Sequence, residues 1–345
     1  MEPSGLSEST SAGELQAPPA PEVGRCPAPA NLRAEVARYD RNARVDAWEG
    51  PRYRVNYRIL GDGPPLILIP GIAATYRVYA LLLNLLSERF RTIIYEFPGD
   101  QRDDGAALNR LTHDDMVSDF LGLIDHLKID SICPVGLSFG SSIVLKALER
   151  EPRRFPRAVV QGAFASRDFS LAERAAFSVG RRFPGTLGAL PFRERILKYN
   201  FRHHFPRLIE NRWDFYVEQN GLTPIRSLAH RLSLLKTLDL RPILGRISQE
   251  VLVLQGNEDR LINRMAHEEL VKGITTARSV IMPNVGHQPH LTHAEALAHV
   301  ISQWFLPCEP TECAHEGDAG TCSGMPGGCL GEGNGACQAG GGETS

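Results

Sequence analysis

Residues 131–142 read SICPVGLSFGSS, and residues 143–148 continue as IVLKAL. The first part is a short apolar run that enters the pattern Gly-x-Ser-x-Gly, and the second part is a helix-forming run. In this strand–turn–helix context the central serine becomes a nucleophile, because the sharp turn lifts its hydroxyl clear of the sheet. Glycines on both sides keep neighbouring Cβ atoms from colliding. We therefore predict that Ser138 is a nucleophile; the alternative is an ordinary Gly-Ser turn.

Short apolar runs alternate with helix-compatible segments on both sides of this turn. Residues 53–60 alternate in character, which predicts a half-exposed antiparallel strand before the turn at Gly61-Asp62-Gly63. Further strands are predicted at 66–69, 92–97, 158–162, 251–256 and 279–282, and helices at 113–127 and 294–305. This repetition predicts an α/β fold with a mostly parallel sheet.

The repetition breaks between about residues 168 and 240, where no clear apolar strand occurs. Helix-compatible runs lie there at 171–179, 193–201 and 228–238. We expect a helical cap at 168–240, inserted into a core formed by 31–167 and 241–306. The insertion is locally basic, which indicates a solvated face or, alternatively, attraction of an anionic substrate or an acidic partner. The basic residues are Arg181, Arg182, Arg193, Arg195, Lys198, Arg202 and Arg207.

Composition sets two flanking segments apart from the core. Residues 1–30 are rich in Pro, Ser, Ala and Glu without apolar periodicity, and residues 307–345 are rich in Gly, Cys and Glu without Lys or Arg. Both compositions predict disorder, because too little apolar area is available to offset the ordering entropy. The tail contains five of the seven cysteines: Cys308, Cys313, Cys322, Cys329 and Cys337. Their spacing favours free thiols over a zinc site or disulfides.

Charge and hydropathy narrow the class of protein. The formal net charge of −2 and the pI near 6.6 give no reason to expect nucleic acid as a partner. No apolar run is long enough to span a bilayer, and the first residues have neither the basic start nor the apolar stretch of a signal peptide. A cytoplasmic protein acting on a small molecule is the expectation.

A nucleophilic serine needs a base, and the base needs an orienting carboxylate. After a Gly-x-Ser-x-Gly turn the expected chain order is serine, acid, histidine. Asp259 follows the strand at 251–256 and is the preferred acid, with Glu258 and Asp168 as alternatives. Asp259 alternatively serves only as a turn or helix-cap residue.

The preferred base is His287, which follows a glycine in the loop after the strand at 279–282. His290 and His293 are close in sequence, and we expect them to be surface or helix-start residues. None of the three has metal-ligand spacing with a carboxylate, so no metal site is predicted here.

The oxyanion of an acyl-transfer reaction needs hydrogen-bond donors that are in place before the charge develops. One expected donor is the backbone N–H of Phe139, at the start of the predicted helix. The other is the N–H of Ile72 in the loop Pro70–Ala74, where Gly71 permits the turn and Pro70 has no N–H. The alternative is that this loop is a plain connector.

Together these motifs resemble the α/β-hydrolase superfamily over roughly Tyr53 to Leu306. The resemblance implies an eight-stranded, mostly parallel sheet with a cap over the site, and no cofactor. Two loops differ from the common family pattern: Pro70-Gly71 replaces His-Gly, and Pro98–Arg102 replaces Gly-x-Gly-x-Ser.

The predicted chemistry is hydrolysis of a small or medium carboxylic ester through an acyl-enzyme on Ser138. A carbon–carbon bond hydrolase, a thioesterase, an amidase or an acyltransferase can use the same residues. A ligand-binding or scaffold protein that retains the fold without turnover is the alternative of another class, because fold does not determine function.

Overall fold

The computed structural model describes residues 31–205 and 210–306. The predictions for the leader at 1–30, for the tail at 307–345 with its five cysteines, and for Arg207 lie outside the described residues. Within the described ranges, no helix is long and apolar enough to cross a membrane.

The described residues form one eight-stranded sheet in the order β1-β2-β4-β3-β5-β6-β7-β8. Its strands are β1 Arg44–Glu49, β2 Arg54–Leu60, β3 Pro65–Ile69, β4 Arg91–Tyr95, β5 Cys133–Leu137, β6 Arg157–Gln161, β7 Glu250–Gly256 and β8 Ala277–Met282. β2 pairs antiparallel with β1 and β4, and all other pairs are parallel. The mostly parallel eight-stranded sheet predicted from the sequence is therefore confirmed.

Helices fill the connections of this sheet. They are α1 Leu32–Asn42, α2 Ala80–Ser87, α3 His113–His126, α4 Phe139–Arg150, α5 Leu171–Gly180, α6 Arg193–Phe201, α7 Glu210–Gly221, α8 Ile225–Leu235, α9 Arg241–Leu244, α10 Arg264–Gly273, α11 Pro289–Thr292 and α12 Ala294–Phe305. The helices α5 to α8 lie between β6 and β7, at the position where the sequence predicts an inserted helical segment.

The central strands are apolar throughout because both faces of the sheet are covered. Along β3, Ile67 and Ile69 belong to one buried cluster, whereas Leu66 and Leu68 belong to the other. Val251 to Leu254 in β7 divide between the two clusters in the same alternating way. Successive side chains of a strand point to opposite faces, so a strand buried on both faces loses the apolar–polar alternation. Each such side chain contributes about 1.5–3 kcal/mol by burial.

Several elements of the described chain were not predicted, among them β1, α1 and α7. β1 is a largely exposed edge strand with only Ala47 and Trp48 partly buried, so it has no apolar run. α1 and α7 are polar in composition, and their formation depends on packing rather than on a strong periodic pattern. α1 packs against α2, and α7 packs against the short turn Tyr76–Tyr79.

Candidate active site

Ser138 stands at the sharp turn between β5 and α4. Its backbone has φ 50° and ψ −112°, a conformation that costs a non-glycine residue about 1–3 kcal/mol. The amide of Ser138 donates to the carbonyl of Gln161 at 2.8 Å, which fixes the turn against the end of β6. A Cβ at Gly140 would lie 2.3 Å from the carbonyl oxygen of Ile69, so only glycine fits there. The predicted strand–turn–helix geometry is present.

The structure brings Ser138, His287 and Asp259 together from three separate loops. Nε2 of His287 lies 3.0 Å from Oγ of Ser138, and Nδ1 of His287 lies 2.6 Å from Oδ2 of Asp259. Because an ionised carboxylate only accepts hydrogen bonds, Nδ1 carries the proton and Nε2 is left to accept the serine hydroxyl. The side chain of His287 is 6% exposed and that of Asp259 is fully buried.

The loop after β7 holds Asp259 as an anion. Its Oδ1 accepts the backbone N–H groups of Leu261 and Ile262 at 2.9 and 3.0 Å. Burial acts to raise the pKa of Asp259, but His287 and these two amides outweigh it and hold the pKa below its usual value. Gln255 also stabilises this loop, because its Nε2 donates to the carbonyl of Ile262 at 2.5 Å.

The alternative acids lie outside the cavity at Ser138. Asp168 and Glu258 have exposed side chains and do not line the cavity at Ser138. His293 precedes α12 and is half-buried, as expected of a helix-start residue. His290 is also at a helix start, in α11, which is one of the two expected positions, but it is buried beside Tyr79 with a ring separation of 4.5 Å and lines the cavity. Packing of α11 under the site, which no local pattern records, places it inside.

Both residues that are expected to supply the oxyanion donors line the same cavity. Phe139 begins α4 and Ile72 lies in the loop after β3, and both line the cavity with Ser138. Among the described residues, neither the Ile72 amide nor the Phe139 amide donates a hydrogen bond. The adjacent Gly71 amide donates instead to the hydroxyl of Tyr79 at 2.8 Å. The loop is also attached to the segment between α7 and α8, since the Ala74 amide donates to Oγ1 of Thr223 at 2.8 Å.

The cavity has a volume of about 170 Å³ and walls from both the sheet and the inserted helices. Apolar walls come from the loop after β6 and from α8, represented by Phe164, Leu232 and Leu235. Tyr79 and Arg167 are among the lining residues that the sequence analysis did not name. Arg167 follows a parallel strand, in the position where site residues collect, and that placement was the available signal.

The basic residues expected in the inserted segment are outside this cavity. Of those that the structure describes, Arg193 donates to the carbonyl of Val217 at 2.8 Å and Arg202 to that of Phe205 at 3.3 Å. Arg181, Arg182 and Arg195 are exposed. No group of three or more His, Cys, Asp or Glu side chains within the described ranges could hold a metal ion.

Comparison with known proteins agrees with this architecture. A family model described as the α/β hydrolase fold matches residues 64–294. The putative carbamate hydrolase RutD of Agrobacterium fabrum is 21% identical over 262 residues, which are 75% of this chain and 99% of that protein. The pimeloyl-(acyl-carrier protein) methyl ester esterase of Nitrosomonas europaea is 25% identical over 252 residues, covering 70% of this chain and 95% of that protein.

A solved structure of a thermophilic esterase from Thermogutta terrifontis superposes with a TM-score of 0.64 at 22% identity. The match covers 76% of this chain and 98% of that chain, which shows the same fold. The family model spans β3 to β8, the turn at Ser138 and the loops that hold Asp259 and His287. This chain therefore belongs to the α/β-hydrolase family and is an enzyme of that family.

Proposed function

We propose that this enzyme hydrolyses a small or medium carboxylic ester through an acyl-enzyme on Ser138. The observation that carries the proposal is the continuous hydrogen-bond chain from Ser138 through His287 to Asp259 at a strained strand–helix turn. The esterase names of two similar proteins, the methyl ester esterase and the thermophilic esterase, support an ester over other acyl compounds.

In the proposed mechanism, Oγ of Ser138 attacks the ester carbonyl while Nε2 of His287 takes the hydroxyl proton. The oxyanion accepts hydrogen bonds from the amides of Ile72 and Phe139. Collapse of the tetrahedral intermediate breaks the ester C–O bond, and His287 gives its proton to the departing alcohol. Water then attacks the acyl-enzyme with His287 again as the base, which releases the acid and restores Ser138. Asp259 stabilises the imidazolium in both halves.

The helices α5 to α8 act, in this proposal, as a cap that shapes the substrate cavity. α8 supplies Leu228, Leu232 and Leu235 to the cavity wall, and α6 supplies Leu197. An apolar wall excludes water from the acyl-enzyme until the product alcohol leaves, and it strengthens the hydrogen bonds to the oxyanion.

The test is covalent labelling with a fluorophosphonate, followed by peptide mass spectrometry. We expect the adduct on Ser138 of the wild type and no adduct in folded Ser138→Ala or His287→Ala. Hydrolysis of 4-nitrophenyl butyrate by Ser138→Ala should fall by about 10⁴-fold or more, with little change in stability.

Ser131→Ala is the matched control, because Ser131 is an exposed serine just before β5. Its labelling and turnover should equal those of the wild type. Near-normal turnover in Ser138→Ala would refute the mechanism, and folded wild-type protein that resists labelling would favour a non-catalytic relative.

A further inference from the structure

Arg167 is a cation in the wall of the candidate active site. It lies in the loop after β6, is half-buried, and lines the same cavity as Ser138 and His287. It precedes the inserted helices, so it does not belong to the basic surface that the sequence indicates. Its guanidinium contacts the ring of Phe169, with 5.2 Å between Cζ and the ring centroid.

In the part of the chain that the structure describes, the Arg167 side chain has no hydrogen-bond or ion-pair partner. Two carboxylates, Glu173 and Asp259, are close enough to interact electrostatically with Arg167, but each is hydrogen-bonded to other groups. Glu173 accepts the amide and hydroxyl of Ser170 at 2.8 Å each, and Asp259 holds His287. Burial lowers the pKa of Arg167, but a guanidinium stays charged at neutral pH.

Arg212 and Arg231 are the buried arginines of the described residues, and both have partners. Arg231 donates to Asp100 at 2.7 Å, and Arg212 donates to the carbonyl of Leu291 at 2.8 Å. A cation removed from water without an acceptor is costly, so buried charges are normally paired. Arg167 differs from these two in that its free face is the substrate cavity.

We propose that the ester substrate carries a carboxylate that pairs with Arg167. This inference rests on the proposed esterase function and specifies its substrate class. A planar guanidinium matches a carboxylate with two parallel hydrogen bonds. One guanidinium balances the single charge of a carboxylate, whereas a phosphate dianion calls for more than one cation. A cavity of about 170 Å³ also favours the smaller group, because the ester must share the space.

The test compares esters that differ only in a terminal charge. One pair is 4-nitrophenyl hydrogen glutarate and its neutral methyl ester, with the carboxylate in the acyl chain. The other is 4-acetoxybenzoate and its methyl ester, with the carboxylate in the leaving group. In at least one pair the wild type should prefer the anion in kcat/KM, and Arg167→Met should lower that preference on the order of 100-fold. The loss should appear mainly in KM, since the carboxylate does not take part in bond making.

Arg195→Gln is the control, because it removes an exposed positive charge of α6 and should leave the preference within about twofold. Arg167→Lys should retain only part of the wild-type preference for the anion, because an ammonium group lacks the two parallel N–H donors of a planar guanidinium. Equal kcat/KM for charged and neutral esters in both pairs, or the same preference in Arg167→Met, would overturn the proposal.

Binding supplies a readout that does not depend on turnover. Glutarate should raise the melting temperature of Ser138→Ala but not that of the double variant Ser138→Ala/Arg167→Met. Fluorophosphonate labelling of Ser138 without anion preference would overturn the substrate class alone. Absence of labelling and of hydrolysis would instead remove the esterase function on which it rests.

Discussion

The hydroxyl of Tyr79 positions the loop that holds one expected oxyanion donor. It accepts the amide of Gly71 at 2.8 Å, one residue before Ile72. Burial raises the pKa of Tyr79 to about 12, although the Gly71 amide acts in the opposite direction, so the phenol stays neutral. The family pattern has His-Gly where this chain has Pro70-Gly71, and Tyr79 supplies an anchor for the loop here. Tyr79 is a positioning residue, since it acts through the backbone of Gly71.

Replacing Tyr79 with phenylalanine removes this acceptor and leaves the Gly71 amide without its partner. We expect Tyr79→Phe to lower kcat by about 10-fold, less than the loss of a whole oxyanion donor, with KM nearly unchanged. The free energy of unfolding should fall by about 1–2 kcal/mol. Steady-state kinetics and urea unfolding measure the two effects.

Tyr39→Phe is the matched control, because the Tyr39 hydroxyl is buried in the α1 packing without a hydrogen-bond partner among the described residues. It should change neither kcat nor KM. Equal kinetics for Tyr79→Phe and the wild type would show that Gly71 and Ile72 keep their places without the hydroxyl.

At the scale of elements, α8 links the inserted helices to the sheet. One of its faces lines the cavity, while Ser227 and Arg231 reach the loop after β4. Oγ of Ser227 donates to the carbonyl of Gly99 at 2.5 Å, and Arg231 pairs with Asp100 at 2.7 Å. This loop, Pro98–Arg102, is the one that departs from the family pattern, and the departure supplies the partner for Arg231.

Asp100→Asn should destabilise the protein by about 3 kcal/mol, because it leaves the buried Arg231 charged and without its carboxylate. The fall in the free energy of unfolding is measured by urea titration near neutral pH. Asp103→Asn is the control, since Asp103 is exposed on the same loop. A change below about 0.5 kcal/mol in Asp100→Asn would mean that the Asp100–Arg231 pair does not hold α8.

At the scale of the whole molecule, three buried imidazoles link stability to pH. Burial lowers the pKa of His113 and His230 to about 4 each and that of His290 to about 3. An unfolded histidine has a pKa near 6.5, so the unfolded chain binds more protons than the folded one from about pH 6.5 down to these values. Their contribution to stability is complete above pH 6.5 and is lost as the pH falls toward the folded pKa values.

His230 is suited to a test of this pH dependence, because neither of its ring nitrogens has a hydrogen-bond partner in the described chain. Its replacement therefore removes the buried imidazole without breaking a hydrogen bond. We expect the free energy of unfolding to fall with decreasing pH less steeply in His230→Leu than in the wild type. The slopes should differ by up to about 1.4 kcal/mol per pH unit between pH 6 and 5. Urea unfolding across this range measures the slopes. Parallel curves for His230→Leu and the wild type would contradict the linkage.

Most strands could be predicted from the sequence, and so could the candidate site residues that lie in recognisable sequence patterns. Ser138, Asp259 and His287 each follow an apolar strand in a loop with a recognisable pattern. Because the carboxyl ends of parallel strands meet at one edge of a sheet, the chain order of these loops was enough to expect them together. β1 was not predicted, because an exposed edge strand requires no apolar run.

What the sequence alone determined about this protein is the α/β class, the sharp turn at Ser138 and the order of the three polar residues. These features depend on local backbone sterics and on burial with a period of two. Only the tertiary structure decided that the Tyr79 hydroxyl accepts the Gly71 amide, that Arg167 lines the cavity, and that Asp100 pairs with Arg231. Asp100 and Arg231 are 131 residues apart, and such contacts are set by how α8 packs over the loop after β4. No local periodicity encodes that packing.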